Sequence, residues 1–379
     1  MARIGLDVTM LANQRTGVEN YTRALALNLP GTDPKLEFVF FSARPVDNQF
    51  NAVVVASRTD MSHALWRQFR LPRLLREYRV DLFHSPVAAV PIRWNGLLVA
   101  TIHDLTWHVC PQAYPVRRRL AHRLWCKLSA RIANRIVVPS SASAQLLRRL
   151  NPGLPESRIE IIAECAPQPA HHGIPTVSQR ALLDKLAITP PFFLAVGTLQ
   201  AHKNYERLIQ AFEKLESQAG KAHQLVIVGK DGFGAERIHA AARASSRAKQ
   251  VRLIGYVDDE SLSVLYRSAD VFVYPSLSEG FGLPVLEAMA VGTPVAASNA
   301  SSIPEVGGDA ACYFDPRNVE QMAHSIHRAL ADNDLRTELV RKGKERVTLF
   351  SPKRMASATV ALYRETLEDD PNRSLTSVA

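Results

Sequence analysis

The feature that most constrains this chain is a strand–helix alternation that runs along it twice and is broken once by a proline-rich stretch. In the first half, short β-rich apolar runs fall near 2–8 (Ile4, Leu6, Val8), 36–41, 53–56, 80–84, 97–102, 135–139 and 159–162. Helical spacings lie between most of them. Val18, Tyr21, Leu25 and Leu29 form one stripe, and Ser140 or Ser141 is placed to cap another helix. Strands that alternate with helices pair in parallel, because each crossover helix lies on a sheet face and covers it. From Ala166 to Pro191 the rhythm stops, at Pro167, Pro169, Gly173, Pro175, Pro190 and Pro191. Prolines fix φ and remove donors, so this stretch reads as a linker with a short helix around 178–186. The alternation resumes at 192–197, 224–229, 251–255, 271–275, 293–297 and 310–314. Ser351-Pro352 then provides a cap and a first-turn proline for one closing helix, with Met355, Leu362 and Tyr363 on its stripe.

The expected architecture is therefore α/β, with two Rossmann-like doubly wound parallel sheets. The first domain spans 1–170, the linker 171–190 and the second domain 191–351. The helix 352–368 is expected to pack back onto the first domain. Such sheets bind ligands at the carboxyl ends of their strands, so two of them are expected to face a central cleft.

Composition enters as exclusion. No run approaches the roughly 18 consecutive apolar residues of a membrane-spanning helix. The N-terminal residues lack the positive-then-apolar layout of a signal peptide, which predicts a cytoplasmic protein. Cys110, Cys126, Cys165 and Cys312 are too scattered for a zinc or redox site. The net charge of +10 lies wholly in the first half: residues 1–170 hold 22 basic and 12 acidic side chains, residues 171–379 hold 24 of each. A one-sided basic half suits an anionic partner or an ordinary solvated surface. Nothing resembles a DNA-reading helix or an aromatic stacking platform, so nucleic acid is not an expected partner.

The strongest chemical signal is Ser276-Leu277-Ser278-Glu279-Gly280-Phe281-Gly282-Leu283-Pro284-Val285-Leu286-Glu287-Ala288-Met289-Ala290, followed by Gly292-Thr293-Pro294-Val295. A strand ends at Pro275, a glycine-containing loop follows, Pro284 suits the first helical turn and Gly292 the termination. Backbone N–H groups at such a helix start attract anions, and a diphosphate fits there. Two carboxylates beside a phosphate repel it unless they face something else, and sugar and ribose hydroxyls are the natural partners. The alternative is a capped helix with Glu279 as a favourable charge at its positive end.

These residues resemble the donor site of glycosyltransferase family 4. Glu279 and Glu287 in that setting are joined by Ser302-Ile303-Pro304-Glu305, Val196-Gly197-Thr198-Leu199 with Lys203-Asn204, Ile227-Val228-Gly229, and Gly255-Tyr256-Val257. The resemblance covers nearly the whole chain and implies the GT-B fold and a retaining, metal-independent transfer of sugar from a nucleotide-sugar. It implies that Gly280, Phe281, Gly282 and Leu283 hold phosphate and sugar, that Glu279 contacts the transferred sugar, and that Glu287 binds ribose. Val257 would touch the nucleobase and Lys203 would neutralise the diphosphate. The family usually places an arginine beside that lysine or after its glycine, where this chain has His202 and Thr198. Lys203 acting nearly alone, help from His202, and help from Arg207 are the alternatives.

In the first domain, Thr16-Gly17-Val18-Glu19 resembles the family's glycine loop, with Gly17 near the donor diphosphate, although a plain strand-to-helix turn fits as well. Thr101-Ile102-His103-Asp104 ends a strand, and the resemblance sets His103 against the transferred sugar. His84 is a weaker candidate for the cleft lining. Asp332-Asn333-Asp334 reads as an interhelical turn and His324-x-x-His327 has no third ligand, so neither metal nor other cofactor is expected. Arg119, Arg123, Lys127, Arg131 and Arg135 recur every four residues beside Leu120, Leu124, Leu128 and Ile132. This basic stripe over 117–135, with Trp66, Arg67, Phe69, Arg70, Arg73 and Arg76 adding to it, is either an anionic-membrane contact or a core-packed helix with a solvated face. The first puts the protein on the inner face of the cytoplasmic membrane, near a lipid-linked or other glycan acceptor. The Glu305 motif and the Lys203-Asn204 pair look like bacterial surface-polysaccharide enzymes that use GDP-mannose or related hexoses, with UDP-sugars still open. A GT-B sugar-nucleotide epimerase and an inactive nucleotide-binding scaffold are the competing functions.

Overall fold

The computed structural model describes residues 1–12, 16–46, 49–57, 61–166, 179–215 and 223–370. They form two compact units. The first comprises Met1–Leu105, Leu120–Cys165 and Phe350–Ala379, and the second Thr106–Arg119 and Ala166–Leu349. The linker prolines at 167, 169 and 175 lie outside the described residues, and the expected short helix is Gln179–Lys185.

The first unit holds seven strands: β1 (Ala2–Asp7), β2 (Leu36–Ser42), β3 (Val53–Ala56), β4 (Leu82–Ser85), β5 (Leu97–Thr101), β6 (Arg135–Val138) and β7 (Ile159–Ile161). They pair in the order β3-β2-β1-β4-β5-β6-β7, every pair parallel. β2 is apolar on both faces, and Phe38, Val39, Phe40 and Phe41 are all buried, as a strand covered on both sides requires. The helix Gly17–Asn28 buries Tyr21 and Leu25, and its first-turn N–H groups are met by Thr16, whose hydroxyl accepts from the Glu19 N–H. The closing helix Pro352–Glu368 is capped by Ser351 and places Met355, Val360, Leu362 and Tyr363 in the core of this same unit.

The second unit holds β8 (Phe192–Val196), β9 (Gln224–Val228), β10 (Val251–Gly255), β11 (Val271–Tyr274), β12 (Val295–Ser298) and β13 (Cys312–Phe314). Their order is β10-β9-β8-β11-β12-β13, again all parallel. The reversal between β8, which pairs with both β9 and β11, makes the ends of β8 and β11 the topological switch point.

Two expectations change. The basic stripe is one helix, Val116–Ile132, and Arg135 lies beyond it in β6, where it pairs with Asp369. Its leucines do not enter a core: the helix buries Cys126, Ser129 and Ala130, while Leu120 is 60% and Leu124 55% exposed. The small residues face inward, where Ser129 donates to the Ala88 carbonyl, the Asn151 amide lies against Cys126 and Arg158 donates to the Ala130 carbonyl. Trp66 and Arg67 do not join a surface cluster either. Both are buried, Arg67 because its guanidinium meets the Asp7 carboxylate at 2.9 Å and Trp66 because its indole N–H reaches Ser57. No described helix is long and apolar enough to cross a membrane.

Candidate active site

In the second unit, β8 runs into Gly197, whose φ of +145° favours glycine and whose carbonyl accepts from the Tyr205 hydroxyl. A single 3-10 turn, Ala201–Lys203, follows, and Asn204 in the left-handed region (φ 61°) starts the helix Tyr205–Lys214. Asparagine tolerates that conformation, and its amide anchors the turn by donating to the carbonyls of Pro275 at 3.0 Å and Pro316 at 2.7 Å. The neighbouring loop after β11 is strapped to the same turn, because the Leu277 N–H donates to the His202 carbonyl at 2.8 Å. Lys203 and Glu279 thus meet: Nζ lies 2.7 Å from Oε1, and 3.0 Å from the Tyr274 hydroxyl. Their side chains are 12% and 14% exposed, so the pair is sheltered but reachable.

Gly282 has φ +123°, a conformation other residues adopt only with strain, and from it the helix Leu283–Ala290 departs. The loop is held from below by two serines. Ser301 donates to the Glu279 carbonyl at 2.7 Å, and the Ser302 hydroxyl lies 2.6 Å from the Phe281 carbonyl and 3.0 Å from that of Glu279. Glu287, one turn into the helix, accepts from the Tyr266 hydroxyl at 2.7 Å.

The two carboxylates differ in charge balance. Burial pushes the Glu279 carboxyl up, but the Lys203 and His202 charges and hydrogen bonds from Lys203 and Ser276 bring it below the ordinary range. Burial pushes Glu287 above that range, against the Tyr266 hydrogen bond and the Lys203 charge. His202 is buried and stacks on Tyr114, ring centroids 6.1 Å apart. Arg207 is turned to the Asn204 side-chain oxygen at 2.9 Å. The Thr198 methyl packs toward Gly232. Val257 lies after β10, just before the helix-capping Asp258.

In the first unit, Gly17 is the exposed first residue of the helix that Thr16 caps. His103 follows β5. Its Nδ1 lies 2.7 Å from Glu164 Oε1, its Nε2 2.8 Å from the Pro86 carbonyl, and the Tyr21 ring meets it edge-on at 4.6 Å. His84 is fully buried and lines no surface: Nε2 reaches Thr101 Oγ1 at 2.8 Å and Nδ1 the Tyr363 hydroxyl at 2.6 Å. Thr101 in turn bonds the Tyr21 hydroxyl at 3.1 Å. Asp332 caps the helix Asn333–Val347 and is no metal motif. Among the described residues no group of three or more His, Cys, Asp or Glu could hold a metal ion.

Sequence reasoning missed Glu164, Tyr266 and the anchoring function of Asn204. Asn204 carried a signal, since asparagine is the commonest non-glycine residue in the left-handed region. Glu164 and Tyr266 carried none, because their partners are 61 and 21 residues away.

Residues 15–165 match Glycosyltransferase Family 4, and residues 179–346 match Glycosyl transferases group 1. The chain is 30% identical over 294 residues to O-antigen chain mannosyltransferase B of Escherichia coli, covering 76% of each chain. Its fold is similar to that of a sucrose-phosphate synthase from Thermosynechococcus elongatus, at a TM-score of 0.74 and 23% identity over 98% of this chain and 100% of that one. It is also similar to Anabaena Alr3699/HepE, solved in complex with UDP-glucose, at a TM-score of 0.72 and 17% identity over 96% and 100% of the two chains. The chain belongs to the family 4 and group 1 glycosyltransferases and has the GT-B fold. It is a nucleotide-sugar-dependent glycosyltransferase acting on a glycan or lipid acceptor.

Proposed function

We propose that this protein is a retaining hexosyltransferase that moves mannose, or a related hexose, from a GDP-sugar to a growing cell-surface polysaccharide. The observation that carries the reading is the Lys203–Glu279 pair beside the loop 280–283. A cation and a carboxylate that neutralise each other can exchange partners when the donor binds, Lys203 taking the diphosphate and Glu279 the sugar hydroxyls. Gly280, Phe281, Gly282 and Leu283 then face the phosphates and sugar with backbone N–H groups, and Glu287 receives the ribose hydroxyls. Lys203 stabilises the departing nucleotide electrostatically. Of the substitutes for the missing arginine, His202 is favoured, since it stands beside Lys203 on the same turn whereas Arg207 is committed to Asn204. Thr198 offers a hydroxyl and no charge. Val257 is assigned to the base, and Gly17 and His103 to the donor phosphates and transferred sugar. The donor phosphate helps deprotonate the acceptor hydroxyl, and substitution takes place on the same face, with no metal. The E. coli mannosyltransferase relative supports the choice of sugar.

The first unit is assigned to the acceptor. A membrane-borne acceptor is favoured by one observation: the helix Val116–Ile132 leaves Val116, Leu120 and Leu124, three residues of one face, exposed among its arginines. Sedimentation with acidic vesicles at low salt, lost when Arg119, Arg123 and Lys127 become Glu, supports that contact, and no wild-type sedimentation rejects it.

The test of function is incubation with GDP-mannose, UDP-glucose or UDP-galactose and short mannose oligosaccharides, with the product linkage read by NMR. Transfer from GDP-mannose with the donor's anomeric configuration is expected. Inversion, a C2-epimerised free sugar, or nucleotide binding without any transfer contradicts the reading and points to another mechanism, an epimerase or a scaffold respectively.

A further inference from the structure

We propose that His103 is a fixed imidazolium, charged on both ring nitrogens' protons throughout neutral pH, and that Glu164 is the positioning residue that keeps it so. The argument rests on what each partner can do. The Pro86 carbonyl, 2.8 Å from Nε2, only accepts, so Nε2 must carry a proton. The Glu164 carboxylate, 2.7 Å from Nδ1, accepts the second proton. A neutral imidazole has only one N–H and leaves one of these two acceptors facing a lone pair in a nearly closed environment.

The surroundings agree from every side. Glu164 reaches His103 from the segment after β7, and Asp104 stands next in the chain. Across the ring lies Tyr21, whose hydroxyl is spent on Thr101 and whose phenol burial raises well above its usual range. His84, behind it on β4, is pushed down to about 3 by burial and by the charge on His103 itself, so it adds no competing cation. Cys165 is pushed up to about 12 by burial and by Glu164, so it adds no competing anion. Burial lowers His103, and Glu164, Pro86 and Asp104 together raise it above an ordinary histidine. Its side chain keeps 13% exposure.

The consequence for the reaction rests on the assignment of His103 to the sugar site. With both nitrogens committed, His103 does not accept a proton from an acceptor hydroxyl. It contributes a charge that neither comes off nor moves, suited to oxygen atoms that gain negative character as the nucleotide leaves.

The experiment is nitrogen-detected NMR of the full-length protein with 15N-labelled histidine, the His103 signals assigned by their loss in H103N. Both ring nitrogens should lie in the protonated range at pH 7, with a titration midpoint above that of an ordinary histidine. In E164Q, which keeps the acceptor oxygen and removes the charge, the midpoint should fall below that of the wild type, and kcat/KM should acquire a limb that declines as pH rises. An unprotonated His103 nitrogen in the wild type at pH 7 overturns the proposal without recourse to any variant. So does a pH profile for E164Q that matches the wild type. If the NMR result holds but H103N transfers sugar normally, the imidazolium stands and the assignment of His103 to the sugar site fails.

Discussion

The ligand ends of the two sheets are built on opposite plans. In the second unit the charged groups come from two loops at a topological switch point, and each loop is anchored close to its charged residue: Asn204 next to Lys203, Ser301 and Ser302 under Glu279. In the first unit the corresponding groups come from separate stretches of chain, with Tyr21, His84, Thr101, His103, Glu164 and Tyr363 joined by side-chain bonds and ring contacts. Two histidines there show how partners decide charge. His84 meets only neutral hydroxyls and is sealed, so it stays neutral; His103 meets a carboxylate and keeps its proton. One end is a local motif, the other a tertiary network, and the difference sets what each can tolerate.

The sharpest break of that contrast is R67M in the first unit. Asp7 is buried at the end of β1, its Oδ1 filled by the Thr9 N–H and its Oδ2 by Arg67. Burial pushes its carboxyl up, and Arg67, His63 and Thr9 reverse this to well below the usual range. Removing the guanidinium leaves the buried carboxylate only the Thr9 N–H and His63, without its permanent cation, at a cost of about 3–5 kcal/mol in chemical denaturation. Nucleotide affinity of the folded protein should be unchanged.

K203A and E279A should behave in the opposite way. Each is expected to lower transfer about 100-fold or more, equivalent to about 3–4 kcal/mol of transition-state stabilisation, while the circular dichroism spectrum stays that of the wild type. Undiminished transfer by either purified variant removes that residue from the site.

A third break concerns His84 and is read as a slope in pH. Its folded value is depressed to about 3, against 6.5 for an ordinary histidine, so the unfolded chain binds the extra proton in the window between them. The contribution of this site is full above pH 6.5 and declines as pH falls toward 3, by about 1.4 kcal/mol per pH unit. His103 has the opposite sign, full below 6.5 and fading as pH rises through its raised folded value. H84Q should therefore flatten the stability profile between pH 6 and pH 4; an unaltered slope contradicts the neutral assignment.

The same contrast explains what was legible in the sequence. Strands and helix starts were readable because period and caps are local: β11, Gly282 and Pro284 stand within a dozen residues, and Ser140, Ser351 and Thr16 each accept from an N–H three residues on. Contacts across the fold were not. Nothing in Arg67 or Trp66 distinguishes them from the exposed arginines and Phe69 around them until Asp7 and Ser57 are brought near. The Leu120 and Leu124 stripe has the spacing of a core face, but Cys126, Ser129 and Ala130 took the inward side. Glu164 lies in a run with no motif, and its function depends wholly on His103.

The central claim is that the nucleotide is held in the second unit by Glu287 and the loop before it. Calorimetric titration of GDP into the wild type, E287Q and H103N tests it most directly. Loss of a charge-assisted bond to ribose predicts that E287Q binds about 10- to 100-fold more weakly, or about 1–3 kcal/mol, while H103N, which GDP without its sugar does not reach, binds like the wild type. Equal affinity of the wild type and E287Q contradicts the account.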